Sequence, residues 1–309
     1  MITFWKQEQG LRQTTRLERD GWVNVQEPTP SEIERLVDEF KVPDYLISDL
    51  LDPDERARTE IDGRWMVVII RIPIYNKNFD VAYYTVPLGI LISLHTIITI
   101  SVNRNDVIDD ILFSPKNKDI QLKDKVNFVL QLFLSSANFY LRYLKEINKQ
   151  TNEIEAALEK SAQNVFLHRL LDMEKSLVLF MTSLKSNELL LMKLQRSKLV
   201  NSQEFNEDLL DDVTVEYRQA LEITKVYSDI QSGRMETFAS VISNNLNVVI
   251  RRLTSITIVL MVPTLVASFY GMNVPNGLES NWMAFPGIVL LTAVVTVLGA
   301  YWLKKKGMF

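Results

Sequence analysis

The spacing of hydrophobic positions changes several times along the chain. Up to about residue 120, runs rich in Val, Ile and Thr and bounded by turn residues predict strands: "RWMVVIIRIPI" (Arg64–Ile74), "YYTVPLGILIS" (Tyr83–Ser93) and "TIITISV" (Thr96–Val102). Between Thr29 and Leu51 the spacing becomes helical, and Ser31 with Glu34 three residues on reads as a capping box at the helix start. From Lys123 to Leu199 there is no Pro or Gly, and Leu, Lys and Glu dominate, which predicts two or three long helices joined by tight turns. From Phe205 to Tyr270 the only breakers are Gly233 and Pro263, so one helix of roughly 66 residues, about 100 Å long, is expected. No internal repeat interrupts this order.

The last apolar stretches are of another kind. From Leu253 to Leu303 the only charged residue is Glu279. A bilayer core needs about 20 apolar residues in a helix, and both Leu253–Tyr270 and Phe285–Leu303 come close. A buried hairpin of a soluble protein is the other way to read two such segments, but their length and lack of charge favour spans. Arg251 and Arg252 precede the first and Lys304–Lys306 follow the second, whereas Gly271–Ala284 has no Lys or Arg, so both termini are expected in the cytoplasm. Trp282 near one boundary, with Tyr301 and Trp302 near the other, fits an aromatic belt. Seven segments result: an α/β domain over 1–122, a helical region over 123–204, a stalk over 205–252, a first span over 253–270, an outer loop over 271–284, a second span over 285–303 and a basic tail over 304–309.

The remaining composition mainly excludes. A chain of 309 residues has room for two ordinary domains, and 47% hydrophobic content conceals the split between a charged first part and an apolar last part. Net charge is -4 and no long basic run precedes Lys304, so nucleic acid is not an expected partner. Cysteine is absent, which removes disulfides, thiolate zinc sites and cysteine nucleophiles. The start, "MITFWKQEQG", lacks an apolar stretch behind a basic one, so no cleaved signal peptide is expected. His95, in an expected hairpin, and His168, in an expected helix, lack metal-ligand spacing. There is no nucleophile elbow, phosphate-binding glycine loop or His-based metal motif, so no enzyme is indicated.

Candidate chemistry lies along the long helix. At alternating spacings of three and four, Glu236, Ser240, Ser243, Asn247, Ile250, Thr254, Thr257, Met261, Thr264, Ser268 and Gly271 fall on one side. A heptad seam is normally apolar, but this one is mostly small and polar. Two readings stay open: a tight packing seam between membrane helices, or a stripe that symmetric copies present to water and ions on a shared axis. Two spans cannot enclose a pore, so the second reading requires an oligomer. Near the start of the helix, Glu204, Glu207, Asp208, Asp211, Asp212 and Glu216 form an acidic group. It is either a solvated N-terminal cluster that favours the helix dipole or a set of oxygen ligands for a divalent cation.

Tyr270-Gly271-Met272-Asn273 closes the first span. With the flanking "SNNLNVVIRRLTSITIVLMVPTLVASFYGMNV" (Ser243–Val274) and the basic tail, it resembles the CorA-type magnesium channels. The resemblance implies an α/β cytoplasmic domain, long helices and two C-terminal transmembrane helices in a funnel-shaped homopentamer in the cell membrane. It implies uptake of Mg²⁺, with Co²⁺ or Ni²⁺ as further substrates, driven by membrane potential and gated by cytoplasmic Mg²⁺. Gly271, Met272 and Asn273 then form the selectivity filter, because Mg²⁺ sheds water reluctantly and a neutral amide oxygen accepts from metal-bound water without trapping the ion. Gly271 is expected to let the chain leave the helix near the axis; a glycine C-cap and turn Asn is the other role of such a pair. Glu236, Ser243, Asn247, Ile250, Leu253, Thr254, Thr257, Met261, Thr264 and Ser268 line the pore, with Asn247, Thr264 and Ser268 as stations for the hydrated ion and Ile250, Leu253 and Met261 as its apolar constriction. Asp49 and Asp212 match positions that hold regulatory Mg²⁺ between subunits, although Ser48 stands where some relatives carry another acid. The alternatives are a zinc transporter of the ZntB type, against which Met272 argues, and a membrane-anchored scaffold.

Overall fold

The computed structural model describes residues 1–8, 10–114, 120–160, 164–196, 206–273, 277 and 282–308. Phe205, where the long helix was expected to start, and the acids Glu204 and Glu279 lie outside the described residues. The chain divides into two units, Met1–Gly233 and Arg234–Phe309.

The first unit is built on a seven-stranded sheet of order β2-β1-β3-β7-β6-β5-β4. Its strands are β1 (Ile2–Gln7), β2 (Leu11–Thr14), β3 (Gly21–Gln26), β4 (Arg58–Asp62), β5 (Trp65–Tyr75), β6 (Tyr83–Ile92) and β7 (Thr96–Ser101). Strands β3 and β7 run parallel and every other neighbouring pair is antiparallel. The last three match the expected runs within a residue at each end, with His95 in the β6–β7 hairpin. Strands β1 to β4 were not expected. They are short, and β2 ("LRQT") and β4 ("RTEID") lie at the sheet edges with mostly polar residues.

Helices α1 (Pro30–Asp38) and α2 (Asp44–Leu51) cover one face of the sheet, where Leu36, Leu46 and Leu50 join Val23, Val67 and Ile98 in one core. The opposite face meets the long helices α4 (Lys125–Lys160) and α5 (Asn164–Arg196), reached through α3 (Asp106–Phe113). Trp22 and Phe128 meet there edge to face at 5.0 Å, as do Tyr140 and Phe180. A sheet covered on both faces explains why β5 and β6 read as nearly unbroken apolar runs rather than alternating ones.

The capping box is corrected. Thr29, not Ser31, is the N-cap of α1, and its hydroxyl accepts from the Glu32 N–H while Glu32 accepts from the Thr29 N–H at 2.9 Å. Pro30 decides this. It has no N–H to lose and its fixed φ suits the first helical position, so the helix opens two residues earlier than the Ser31–Glu34 pair implied.

Two details fix the helices on the sheet. A Cβ on Gly89 of β6 would stand 2.3 Å from a Leu50 methyl, so glycine is what allows α2, and Asp49 on it, to approach the sheet. Arg71 and Pro87 form a non-hydrogen-bonded pair of the β5–β6 ladder, so the Arg71 backbone groups point to the other side, where β4 has already ended opposite Ile69. The Arg71 carbonyl instead accepts from Asn187 Nδ2 at 2.7 Å and from the Tyr140 hydroxyl at 3.0 Å, and the Arg71 N–H donates to Asn187 Oδ1 at 2.8 Å. Asn187 also donates to the hydroxyl of buried Tyr217 on α6 (Glu207–Tyr270). One amide thereby joins β5, α5 and α6.

The second unit holds the remainder of α6 and α7 (Ala284–Lys305). Both helices are long and apolar enough to cross a membrane, and Pro263 lies inside α6 as expected.

Asn187→Leu is expected to keep the side-chain volume yet orphan the Arg71 N–H, while the Arg71 carbonyl keeps the Tyr140 hydroxyl, lowering stability by about 1–3 kcal/mol. A thermal unfolding transition unchanged from the parent protein refutes this role.

Candidate functional site

The second unit gives α6 two different faces. Ser255, Val259, Val262, Pro263, Val266 and Tyr270 are its least exposed residues between Arg251 and Tyr270. Pro263, Val266 and Tyr270 share an apolar cleft of about 620 Å³ with Phe285, Ile288 and Thr292 of α7. The polar stripe lies roughly opposite, since residues advance about 100° each around a helix. Glu236, Ser240, Ser243, Asn247, Ile250, Thr254, Thr257, Met261, Thr264, Ser268 and Gly271 are all exposed, and so is Leu253 at its flank. The sequence alone could not distinguish these two faces, because both carry small and apolar residues. The stripe is thus not the seam with α7 of the same chain.

Three hydroxyls on the stripe are already directed. Thr254 donates to the Ile250 carbonyl at 2.8 Å, and Thr257 and Thr264 donate to Leu253 and Leu260 at 2.9 Å. Each threonine spends its proton on its own helix, so its oxygen offers only lone pairs outward. Water bound to a cation can only donate. The oxygens of these three threonines therefore suit the water of a hydrated cation.

At the end of α6 the Gly271 N–H still donates to Ala267 at 2.9 Å, and the Met272 N–H reaches Phe269 at 3.4 Å. Gly271 does not use the left-handed region expected of a glycine C-cap or of a special exit from the helix; the positive-φ glycines described are Gly10, Gly63, Gly277 and Gly307. What its lack of a side chain provides is room, since a Cβ would press the Ala267 carbonyl at 3.2 Å. Met272 and Asn273 follow, both exposed, and the Asn273 amide has no hydrogen-bond partner among the described residues.

In the first unit, Asp49 on α2 is held at 2.8 Å by Arg58 of β4, which also reaches Glu55 and, at 3.2 Å, Glu60. Partial burial works against the Arg58 charge, but hydrogen bonds and fields from Glu60, Glu55 and Asp49 outweigh it and raise its pKa. Sequence reading missed this partner because β4 was not recognised. Asp212 is exposed at a cavity of about 760 Å³ that also meets Asp110, Glu216, Arg142 and Lys145. Among the described residues no group of three or more His, Asp or Glu side chains is placed to hold a metal ion.

The chain was compared with known proteins. The model of the family described as "CorA-like Mg2+ transporter protein" matches residues 21–305. The cobalt/magnesium transport protein CorA of Methanocaldococcus jannaschii is 24% identical over 293 residues, covering 93% of this chain and 90% of that protein. The magnesium transport protein CorA of Helicobacter pylori is 25% identical over 297 residues, again 93% and 90%. In fold, the chain matches the complete structure of the CorA magnesium transporter from Methanocaldococcus jannaschii with a TM-score of 0.80 at 21% identity, over 100% of this chain and 99% of that one. The ZntB cytoplasmic domain from Vibrio parahaemolyticus matches with a TM-score of 0.59 at 16% identity, over 79% of this chain. With the match running from residue 21 to residue 305, the chain belongs to the CorA-like Mg²⁺ transporter proteins.

Proposed function

We propose that the protein is a homopentameric channel that admits Mg²⁺ to the cytoplasm, with α6 of each subunit lining the pore. The observation that carries this reading is the exposed polar stripe of α6, whose back-bonded threonines offer lone pairs outward and which faces away from α7 inside a segment apolar enough to span a bilayer. Copies arranged around an axis give those oxygens water, and five Asn273 amides form a ring at the outer end. The positive charges near Leu253 and Leu303 support cytoplasmic termini. Inward movement of a divalent ion down the membrane potential releases about 4.6 kcal/mol per 100 mV, so no energy-coupling site is needed.

Asn247, Thr264 and Ser268 serve as stations for the hydrated ion, while Ile250, Leu253 and Met261 form a constriction that closes by losing water. Regulatory Mg²⁺ bridges Asp49 and Asp212 of neighbouring subunits. Two such carboxylates repel until a cation sits between them, so bound Mg²⁺ favours the closed assembly and its loss loosens it. Zinc is the poorer substrate for this pore. It prefers nitrogen and sulfur, whereas α6 and α7 contain neither His nor Cys and present oxygen along the stripe.

In liposomes holding a Mg²⁺ indicator, Asn273→Ala is expected to lose at least about tenfold in uptake while remaining oligomeric, since the filter loses its acceptors and the packing face of α6 is untouched. Uptake at the parent rate overturns the filter assignment, and absence of uptake in the parent itself favours a scaffold.

Cysteine introduced singly at 247, 264 or 268 is expected to react with a water-borne thiol reagent in the open channel, while cysteine at 259 or 266 is protected against α7. The reverse pattern makes the stripe a packing seam.

Asp49→Asn combined with Asp212→Asn is expected to conduct but no longer close when cytoplasmic Mg²⁺ rises. Closure at the parent concentration moves the sensor elsewhere, with Glu207, Asp208 and Asp211 as the next candidates.

A further inference from the structure

We propose that the C-terminal tail and the adjacent turn of α6 form a clasp for the phosphate of an anionic phospholipid headgroup, lined by Arg251, Arg252 and Lys304–Lys306 and held together by Ser255. The staple is the first observation. Between Arg251 and Tyr270 only Ser255 is fully buried, in a segment otherwise largely exposed. Its hydroxyl lies 2.9 Å from the Arg251 carbonyl and 2.8 Å from the Met308 carbonyl, 53 residues away. Any helical serine can make the first contact. The second requires the chain end to fold back.

Gly307 makes it do so. At φ +70 the Gly307 N–H donates to Lys304 at 3.0 Å and the Met308 N–H donates to Leu303 at 3.1 Å, the paired bonds of a Schellman cap. A side chain at that φ is strained, so the sequence assigns the turn to glycine. The result puts the backbones of Arg251 and Met308 on one hydroxyl and brings the basic pair of α6 beside the basic end of α7.

The second observation is charge. All five basic residues are exposed, and none makes an ion pair among the described residues. Between Arg234 and Phe309 the only acids are Glu236 and Glu279. Five like charges gathered by a fixed turn repel one another unless a counter-charge joins them. They stand where both apolar spans end, so headgroup phosphate is the abundant anion at that depth. Lys306 Nζ lies 4.3 Å from the ring centre of Trp302, an indole suited to the same interfacial level. Basic residues flanking a span also set its orientation, but that effect depends on charge alone. The clasp depends on charge and on the tail turn together, and it rests on the two spans crossing a membrane, not on ion conduction.

The test uses the full-length protein carrying Trp282→Phe, which leaves Trp302 as the interfacial tryptophan, in phosphatidylcholine vesicles containing brominated phosphatidylglycerol or brominated phosphatidylcholine. Tryptophan quenching gives the relative association of the two lipids. Phosphatidylglycerol is expected to be preferred, and replacing Lys304, Lys305 and Lys306 by Gln is expected to cut that preference by about fivefold or more. Ser255→Ala, which removes no charge, is expected to cut it as well. Equal quenching by both lipids in the parent overturns the proposal. So does a parent-like preference in Ser255→Ala, which reduces the tail to a generic basic patch. Loss of the preference on adding inorganic phosphate assigns the site to a soluble anion and overturns the lipid reading too.

Discussion

The structure depends on one constraint: a polar side chain facing hydrocarbon without a partner costs several kcal/mol, about 2–7 on transfer scales. The membrane part of α6 carries Thr254, Thr257, Thr264 and Ser268 on a face that α7 leaves uncovered. Back-bonding to the helix carbonyls relieves three of the hydroxyl protons but not the lone pairs. A single hairpin in lipid is therefore an incomplete object, and the stripe calls for either another copy or water. The same helix meets the opposite requirement on its other side, where Pro263 and Val266 share an apolar cleft with α7. Pro263 is tolerable there because membrane helices can satisfy a freed carbonyl through neighbours and small local adjustments.

The first unit faces a related problem and solves it with a side chain. β4 stops opposite Ile69, so the Arg71 N–H and C=O on that edge of β5 have no strand partner. Asn187 and Tyr140 supply the missing bonds from outside the sheet. Because both are buried and Asn187 also touches Tyr217, the repair links the sheet to the first turns of α6. Breaking it by removing one partner leaves a buried polar group unsatisfied, which is costlier than never having formed the bond.

How much of this was legible in the sequence follows from where the information resides. Strands β5, β6 and β7 and helices α6 and α7 are written in long apolar runs and were read within a few residues of their ends. Edge strands such as β4 take their stability from pairing and not from composition, so "RTEID" gave no strand signal, and with it went the Arg58 that holds Asp49. The capping box was misplaced because two overlapping patterns, Thr29–Glu32 and Ser31–Glu34, satisfy the same rule and only Pro30 separates them. The stripe and the Gly271-Met272-Asn273 end were visible as spacing, but which face meets α7 is a property of packing. Ser255 carried a faint signal: a Gly directly after a lysine run announces a reversal, yet nothing in the sequence says where the reversed chain lands.

The Arg58–Asp49 pair bears on the strength of the proposed Mg²⁺ sensor. Both side chains are partly exposed, at 29% and 42%, and exposed ion pairs contribute about 0–1 kcal/mol. A cation that takes Asp49 from Arg58 therefore gives up at most about a fivefold factor in affinity, using the relation that 1.4 kcal/mol is tenfold. Cytoplasmic Mg²⁺ sensing needs little more than millimolar binding, about -4 kcal/mol, and a tight site would never empty. On the proposed arrangement, with Asp49 already held by arginine and facing one carboxylate of a second copy, the site stays weak enough to empty. Three carboxylates gathered in one chain would bind far more firmly and leave the protein blind to the concentrations it is proposed to measure.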